Sequence, residues 1–454
     1  MIPLERALYA ALVLAVYAAL CGAIVLRERR KRHAERARFA SLERQAGASA
    51  PVLVGFASQT GFAEELAWRT AASLQTAGLA VRLMHLSEIS VDTLARCKHA
   101  LLIASTYGEG DPPDAAAGFV QRVMAARPAL LGLQYGVLAL GDRTYANFCG
   151  FGRRLESWLD TCGAQALFER VDVDAGNEAA LHHWQHLLGH LAGTSEVSRW
   201  QTPDFARWRL AGRHLLNAGS QGEPVFHIDL TPASGALPDW EAGDLVQIRV
   251  AGDERPREYS IASLPTDGSL HLLVRRTRWP DGRSGHVSGP LCEGLVPGSE
   301  IDLRLRPHGN FRLAANAGRR LLLIGNGTGI AGLRAHIKAA QARASGGHWL
   351  VFGEREAAHD SLYADEIAAW RADGTLARAD LVFSRDQAER RYVQHRLAEA
   401  AAELRGFIEQ GAAIYVCGSL EGMAAGVDAA LREILGEETL TALAGEGRYR
   451  RDVY

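Results

Sequence analysis

Three polar loops in the first half of the chain each follow a short apolar run, and together they could bind one flat, phosphorylated ligand. The first loop contains Ser58, Gln59, Thr60, Gly61, Phe62 and Ala63. Hydroxyls and backbone N–H groups at a helix start bind phosphate, and this loop lacks the lysine of a nucleotide P-loop. The other two loops contain Ser105, Thr106, Tyr107, Gly108 and Gly110, and Leu140, Gly141, Asp142, Tyr145 and Phe148. The two tyrosines could stack on opposite faces of a heterocycle, although surface tyrosines in ordinary turns are the alternative.

A second group of candidate residues lies in the sequence Arg257-Glu258-Tyr259-Ser260. Arg257 offers a fork of donors to a pyrophosphate, Tyr259 offers a ring, and Ser260 offers a hydroxyl. These residue types suit a second phosphorylated cofactor with an aromatic ring system.

A third group lies near the end of the chain, where Gly327, Thr328 and Gly329 follow the apolar run RLLLI. A glycine loop between a strand and a helix lets a dinucleotide pyrophosphate approach the helix N-terminus. Farther along, a run of hydroxyl and guanidinium groups suits the 2′-phosphate that distinguishes NADPH from NADH, although a solvated charged run has the same composition. That run contains Ser384, Arg385, Arg390, Tyr392 and Gln394.

The elements that must position these residues alternate between apolar runs and amphipathic segments. Residues 51–58, 99–106 and 135–142 read as buried parallel strands, with an amphipathic helix over 62–78, so a doubly wound α/β sheet is predicted. Short strand-like runs broken by Gly, Pro and Asp follow, over 225–232, 244–250, 257–264, 270–276 and 300–306. They predict a small antiparallel barrel. From Arg320 the α/β pattern returns and predicts a second parallel sheet.

These loops resemble those of the diflavin reductases, the family that includes NADPH-cytochrome reductases and the flavoprotein subunit of sulfite reductase. The resemblance covers nearly all of 51–454 and is especially close to the sulfite reductase subunit from about residue 375. It implies a flavodoxin-like FMN domain over 51–195, an FAD-binding β-barrel over 196–316 and a ferredoxin reductase-like NADP-binding domain over 317–454. The loop residues of the first domain would bind FMN, with Tyr107 and Tyr145 flanking its ring.

The same resemblance assigns roles in the other two domains. Arg257, Tyr259 and Ser260 match the FAD signature, and Gly285, Val287 and Ser288 match a second pyrophosphate loop. Trp279 takes the place of an aromatic residue that contacts adenine, with a core tryptophan as the alternative. The family's catalytic residues correspond to Ser260, Cys417, Asp452 and Tyr454, with Tyr454 stacked on the FAD ring. From the residues alone, a buried cysteine and a frayed C-terminal tail would be the simpler interpretation.

The chain departs from the family pattern at three places. Phe62 replaces a small polar residue in the phosphate loop, and Gly332 replaces a proline after the dinucleotide loop. Only a few residues separate the runs 244–250 and 257–264, where diflavin reductases usually insert a helical connecting domain. The docking of the FMN domain on the FAD domain must therefore differ, and the linker near Gly193 would set it.

The N-terminus predicts a membrane anchor. Residues 7–26 carry no charge, about the 20 apolar residues that a transmembrane helix needs, and a basic run follows at 27–38. The charge order predicts a single-pass protein of the cell inner membrane with cytoplasmic catalytic domains, and residues 1–50 as helix and tether. A cleaved signal peptide or a lipoprotein signal at Cys21 are the alternatives.

Composition narrows the remaining possibilities. The formal net charge of -2 over 454 residues gives no argument for binding nucleic acid. The six cysteines form no CxxC pair, which favours a reducing compartment, and no metal site is predicted.

The expected function is electron transfer from NADPH through FAD and FMN to a separate acceptor protein, expected to be a membrane-associated haem or iron protein. A sulfite reductase subunit, or a flavin-binding shuttle or sensor without useful NADPH oxidation, are the alternatives.

Overall fold

The computed structural model describes residues 51–143, 145–194, 200, 204–250, 256–279 and 281–454. Within these residues, seventeen strands form three sheets that follow one another along the chain. The first and third sheets are parallel and the second is antiparallel. The predicted order of an α/β unit, a β-barrel and a second α/β unit is confirmed.

The first sheet has the strand order β2-β1-β3-β4, with β5 and β6 both paired to β4. Its strands are β1 (Val52–Ala57), β2 (Val81–His85), β3 (His99–Ser105), β4 (Gln134–Gly141), β5 (Gln165–Ala166) and β6 (Val171–Asp174). Its helices are α1 (Phe62–Thr76), α2 (Val91–Arg96), α3 (Ala117–Phe119), α4 (Gly150–Thr161) and α5 (Glu178–Ala192). The strand order reverses between β1 and β3, which opens a crevice at the carboxyl ends of the strands, where β1, β3 and β4 deliver the three predicted loops.

The second sheet is a small barrel with the order β10-β9-β12-β7-β8-β11. Its strands are β7 (Ala206–Leu215), β8 (Val225–Pro232), β9 (Leu245–Arg249), β10 (Arg257–Ser260), β11 (Leu270–Arg275) and β12 (Glu300–Arg306). A bridge between Ile261 and Leu272 joins the two ends of the sheet, and Trp208, Leu230 and Val246 fill the interior. β9 and β10 are antiparallel neighbours, so the short connection between them leaves no room for an inserted helical domain.

The third sheet has the order β15-β14-β13-β16-β17, with all neighbours parallel. Its strands are β13 (Leu321–Asn326), β14 (His348–Glu354), β15 (Leu376–Phe383), β16 (Ala413–Gly418) and β17 (Tyr449–Val453). Its helices are α6 (Ile330–Ala342), α7 (Ala357–Asp360), α8 (Ala364–Ala372), α9 (Val393–Glu399), α10 (Ala401–Glu409), α11 (Ala425–Leu435) and α12 (Glu437–Gly445). The order again reverses beside β13, and the glycine loop lies at that point.

Sequence patterning missed some strands, most consequentially β17. Its arginine-rich sequence Tyr449–Val453 lacks the apolar run that marks a buried strand, and without the resemblance a frayed tail is the simpler interpretation there. In the structure β17 pairs with β16, which places Asp452 opposite Cys417. The predicted domain limits at residues 195 and 316 stay a prediction.

The predicted localisation in the cell inner membrane is contradicted. Among the residues that the structure describes, none of the helices combines the length and the apolar character needed to span a bilayer. The predicted span at residues 7–26 lies outside the described residues.

Candidate functional site

The three loops of the first sheet line one cavity of about 410 Å³, called the FMN cavity below after its predicted ligand. Predicted residues that line it are Gln59, Thr60, Ser105, Thr106, Tyr107, Gly108, Leu140, Gly141, Asp142, Tyr145 and Phe148. Ser58, Gly61, Ala63 and Gly110 lie outside the lining and shape the loops. For example, the Ser58 hydroxyl accepts a hydrogen bond from the Ala63 N–H at 3.1 Å, and Gly61 adopts φ 88° before helix α1. The first loop therefore has the geometry of a helix-start phosphate site.

The second and third loops hold each other in place. The Ala146 N–H donates to the Glu109 carboxylate at 3.1 Å, and the Asn147 amide donates to the Glu109 carbonyl at 2.8 Å. Tyr107 projects into the cavity, and its buried hydroxyl has no hydrogen-bond partner among the described residues. Burial raises the pKa of this phenol, so it stays protonated and can donate to a ligand. A buried hydroxyl without a partner, beside an open cavity, could donate to a ligand whose ring system carries hydrogen-bond acceptors.

The barrel borders a second cavity of about 410 Å³, the FAD cavity. All the residues predicted to contact FAD line it, namely Arg257, Tyr259, Ser260, Trp279, Gly285, Val287, Ser288 and Tyr454. A Cβ on Gly285 would lie 2.5 Å from the Ser288 hydroxyl and 3.0 Å from the Thr277 Cβ, so the turn is tightly packed at this position. The Trp279 residue is 49% exposed, which removes the alternative of a core tryptophan and leaves its ring free for stacking.

The third sheet borders a cavity of about 670 Å³, the NADPH cavity. Predicted residues that line it are Gly327, Thr328, Ser384, Arg385, Tyr392, Gln394 and Tyr454. Gly329 lies behind the loop, where a Cβ would be 2.0 Å from the Cys417 carbonyl oxygen, and it permits close strand-to-helix packing. The Gln394 side-chain oxygen is buried without a partner among the described residues. An unpaired acceptor suits a ligand that carries hydroxyl or amide donors.

The structure also places residues at these cavities that sequence reasoning missed. Arg391 lines the NADPH cavity whereas Arg390 is outside the lining, a shift of one position in a run with two candidate arginines. Arg275 and Glu354 lie there as a pair at 2.6 Å. They come from the barrel and the third sheet, 79 positions apart, so no local signal connects them.

The predicted catalytic residues meet where the cavities adjoin. The Ser260 hydroxyl donates to the Asp452 carboxylate at 2.6 Å, and the Cys417 thiol lies 3.7 Å from the same oxygen. Burial, and then the Asp452 charge, raises the pKa of the Cys417 thiol well above its usual range, so the thiol is neutral. Tyr454 is half-exposed, donates to the Thr328 hydroxyl at 3.2 Å and lines all three cavities.

One cluster outside these cavities has ligand atoms close enough for a metal ion. In the described part of the chain it comprises His227, Asp229 and His271, whose ligand atoms lie within 4.8 Å of one another. Arg334, which can only donate, faces Nδ1 of His271 at 3.3 Å, so Nε2 of that ring carries the proton and donates to Asp229 at 3.0 Å. Burial, then the nearby His227 charge, lowers the pKa of His271 to about 4. Hydrogen bonding therefore accounts for this cluster.

An ion pair connects the first sheet to the end of the third. The Arg451 guanidinium binds Asp114 through two nitrogens, with the Nε contact at 2.9 Å, and both side chains are less than a fifth exposed. Gln59 donates to the same carboxylate at 3.1 Å and to the Arg451 carbonyl at 3.3 Å. Arg451 also lies over the Tyr107 ring, 5.6 Å from its centroid. This contact, called the Asp114–Arg451 pair below, closes the FMN cavity against the C-terminus.

Comparisons with known proteins agree with the two parallel sheets. Residues 54–184 match the family described as flavodoxin, and residues 323–429 match the oxidoreductase NAD-binding domain. The chain is also similar to the sulfite reductase [NADPH] flavoprotein alpha-component of Vibrio cholerae, with 28% identity over 90% of this chain and 88% of the relative.

Relatives with the same description occur in Neisseria meningitidis and Bacillus subtilis, with 28% and 27% identity. Each of these comparisons covers 89% of this chain and 89% of the relative. The Vibrio cholerae alignment extends over 543 positions, more than the 454 residues of the whole chain. The relative therefore contains segments that this chain lacks, in agreement with the short connection between β9 and β10.

Replacing Asp114 with asparagine should weaken the docking of the first sheet on the rest of the chain. Breaking this part-buried ion pair leaves Arg451 with only the more distant Asp428 carboxylate, at 3.8 Å, so the equilibrium between docked and undocked forms should shift about tenfold. Small-angle X-ray scattering should report a larger mean radius of gyration. Asp92→Asn, on helix α2, is the matched control because its side chain lies away from this interface. Identical scattering of the Asp114 variant and the parent would contradict the docking role.

Proposed function

We propose that this chain, an NADPH-dependent diflavin reductase, delivers its electrons to a separate component that carries haem or iron. The chain is a flavoprotein oxidoreductase whose cofactors are FMN, FAD and NADPH. The observation that carries the proposed electron route is that the three cavities meet at Tyr454, while Asp452 and Val453 line the FMN and FAD cavities. Because Tyr454 lines all three cavities, redox groups bound there would be close enough to exchange electrons without leaving the protein.

The bound nucleotides would supply the redox chemistry: NADPH gives FAD an electron pair as a hydride, and FMN passes single electrons to the acceptor. The chain's residues bind, orient and shield these groups. We assign to Arg257 and Ser288 the FAD pyrophosphate contacts, and to Thr60 and the helix α1 start the FMN phosphate contacts. Tyr454 would cover the FAD ring until the nicotinamide displaces it, since half of its surface is exposed and one hydrogen bond holds its hydroxyl.

Asp452 would orient the nicotinamide and flavin rings and place a negative charge beside them. Its carboxylate accepts hydrogen bonds from Ser260 and from the neutral Cys417 thiol, which fix its position. Asp452 lines the FAD cavity, and we place the nicotinamide beside it. A carboxylate in that position would stabilise the positive charge of an oxidised nicotinamide. Residues 414–418 of β16 and 449–453 of β17 hold this arrangement through their parallel pairing.

The identity of the acceptor is proposed from the relatives. Their names describe a component of sulfite reductase, and a similar role, with the acceptor as another component of one assembly, is the first candidate for this chain. A flavin-binding shuttle without useful NADPH oxidation is disfavoured, because Ser260, Cys417 and Asp452 form an intact cluster. Purification of the tagged full chain under reducing conditions, followed by identification of bound haem or iron proteins, tests the proposal. An acceptor that contains neither group would overturn it.

Equal amounts of the two flavins are expected in the purified protein, because each has a cavity of its own, and the two cavities share only Thr60, Arg257, Glu258 and residues 452–454. Boiling the protein and separating the released flavins by chromatography measures the ratio. A single flavin species would remove the two-site interpretation.

Arg385→Ala should weaken NADPH binding by about tenfold or more and leave NADH almost unaffected, because only the 2′-phosphate would receive the guanidinium hydrogen bonds. Steady-state KM values for the two nucleotides with an artificial dye as acceptor measure the difference. Arg371→Ala, an exposed arginine of helix α8, serves as the control. Equal losses for NADPH and NADH would show that Arg385 does not select the 2′-phosphate.

Asp452→Asn should slow the reduction of FAD by NADPH roughly a hundredfold, while both flavins remain bound, because the fixed negative charge beside the nicotinamide is lost. Stopped-flow absorbance at the flavin band measures this rate directly. Asp373→Asn, at an exposed turn, controls for the loss of one carboxylate. An unchanged rate in the folded Asp452 variant would exclude this residue from hydride transfer.

A further inference from the structure

We infer that Arg306, a residue of the FAD barrel, binds the phosphate of FMN across the domain boundary. The inference rests on the proposed FMN site and adds a cation to it. None of the loop residues predicted to bind the phosphate is basic, and the phosphate monoester carries up to two negative charges. A phosphate-binding arginine on a different domain would make FMN binding and domain docking depend on each other.

The geometry places the Arg306 guanidinium at the phosphate end of the FMN cavity. One guanidinium nitrogen donates to the Thr60 hydroxyl at 3.2 Å, and the group lies over the Phe62 ring, 4.7 Å from its centroid. All three residues line the cavity. Because the Thr60 oxygen accepts from Arg306, its proton is directed elsewhere and can be donated to a phosphate oxygen. Arg306 and Thr60 then contact the same group.

One residue of the phosphate loop, Phe62, explains why an additional cation would be needed here. Phe62 occupies a position at which the resembling reductases have a small polar residue, so one hydroxyl contact is missing. Its ring instead supports the Arg306 guanidinium by a cation–π contact. The substitution thus removes a neutral donor from the loop and positions a charged one from the barrel.

Electrostatics at the barrel surface also favour an anion here. Arg304 and Arg306 project from the same side of β12, because alternate residues of a strand face the same way, and both line the cavity. Glu258 pairs with Arg306 and also accepts from Gln247 at 2.7 Å. Burial, and then the Arg306 charge, lowers the pKa of Arg304, while Glu65, Glu178 and Glu258 act in the opposite direction. A bound phosphate would give the two guanidinium groups a further anionic partner.

The barrel segment that follows Arg306 fixes the loop in position to share the phosphate. The His308 ring donates to the Gln59 carbonyl at 3.1 Å, and the Asn310 amide donates to the same carbonyl at 2.8 Å. Asn310 also donates to the Ser58 carbonyl. With their carbonyls bonded to the barrel, the loop residues are held between the barrel and helix α1. Phosphate binding should therefore strengthen docking, and docking should strengthen phosphate binding to the same extent.

The test compares FMN with riboflavin, which has the same ring but no phosphate. The full chain, depleted of FMN with FAD retained, is titrated with each flavin and the quenching of flavin fluorescence is measured. Arg306→Gln should weaken FMN binding about tenfold and change riboflavin binding by less than about twofold. Added salt should weaken FMN binding less in the variant than in the parent, because one charge contact is gone.

Two further variants serve as controls. Arg249→Gln removes an arginine of the neighbouring strand β9 that pairs with Asp302 at 3.3 Å and lies outside the cavity lining, and it should leave both affinities unchanged. Phe62→Thr, combined with Arg306→Gln, should recover part of the lost FMN affinity by restoring a hydroxyl to the loop.

An FMN affinity of Arg306→Gln equal to that of the parent would overturn the inference, and so would an equal loss for riboflavin, which would indicate a structural role. In both cases the parent still binds FMN and the proposed function stands. If the parent itself binds no FMN, the proposed function and this inference fail together.

Discussion

The pairing of β17 with β16 is the constraint on which the rest of the site depends. It places Asp452 opposite Cys417, and it points Arg451 to the FMN cavity while Asp452 points to Ser260. Successive residues of a strand face opposite sides, so one short segment serves two cavities at once. Neighbouring cavities share other lining residues in pairs, but Tyr454, which follows β17, is the described residue that lines all three.

This arrangement explains why a polar C-terminus remains ordered. Tyr449 and Val453 are buried against helices of the third sheet, while the arginines between them find partners in other parts of the chain. Arg450 donates to the carbonyls of Gly309 and Arg312, and Arg451 reaches Asp114. Charged hydrogen bonds to these carbonyls and to the Asp114 carboxylate supply the stabilisation that an apolar strand would obtain from its neighbours. The segment that carries Asp452 and Tyr454, two of the predicted catalytic residues, is therefore held in place by defined contacts.

Sequence reasoning succeeded where the signal is local. A glycine or hydroxyl loop directly after an apolar run can be read from one segment, which is why the loops after β1, β3, β4 and β13 were located correctly. Sequence reasoning failed where the residues in contact are far apart in the chain. Asp114 and Arg451 are 337 positions apart, and Thr60 and Arg306 are 246 apart, so neither pair has a periodicity or spacing that could reveal it. The membrane prediction also rested on one local pattern, at residues outside the described structure, and the described helices give it no support.

The missing connecting segment changes what holds the FMN domain in place. In this chain the contacts from the first sheet to the barrel and the third sheet include one ion pair, several hydrogen bonds to backbone carbonyls and the Arg306–Phe62 contact. Polar interfaces of this kind resemble those between domains that separate and reassociate, because water can replace each contact at small cost.

An acceptor protein can reach FMN only from the side that these contacts cover or from the remaining mouth of the cavity. If the acceptor uses the covered side, it must first displace Arg451 from Asp114. Docking and delivery would then be alternatives at one surface, with the strength of the Asp114–Arg451 pair setting the balance between them.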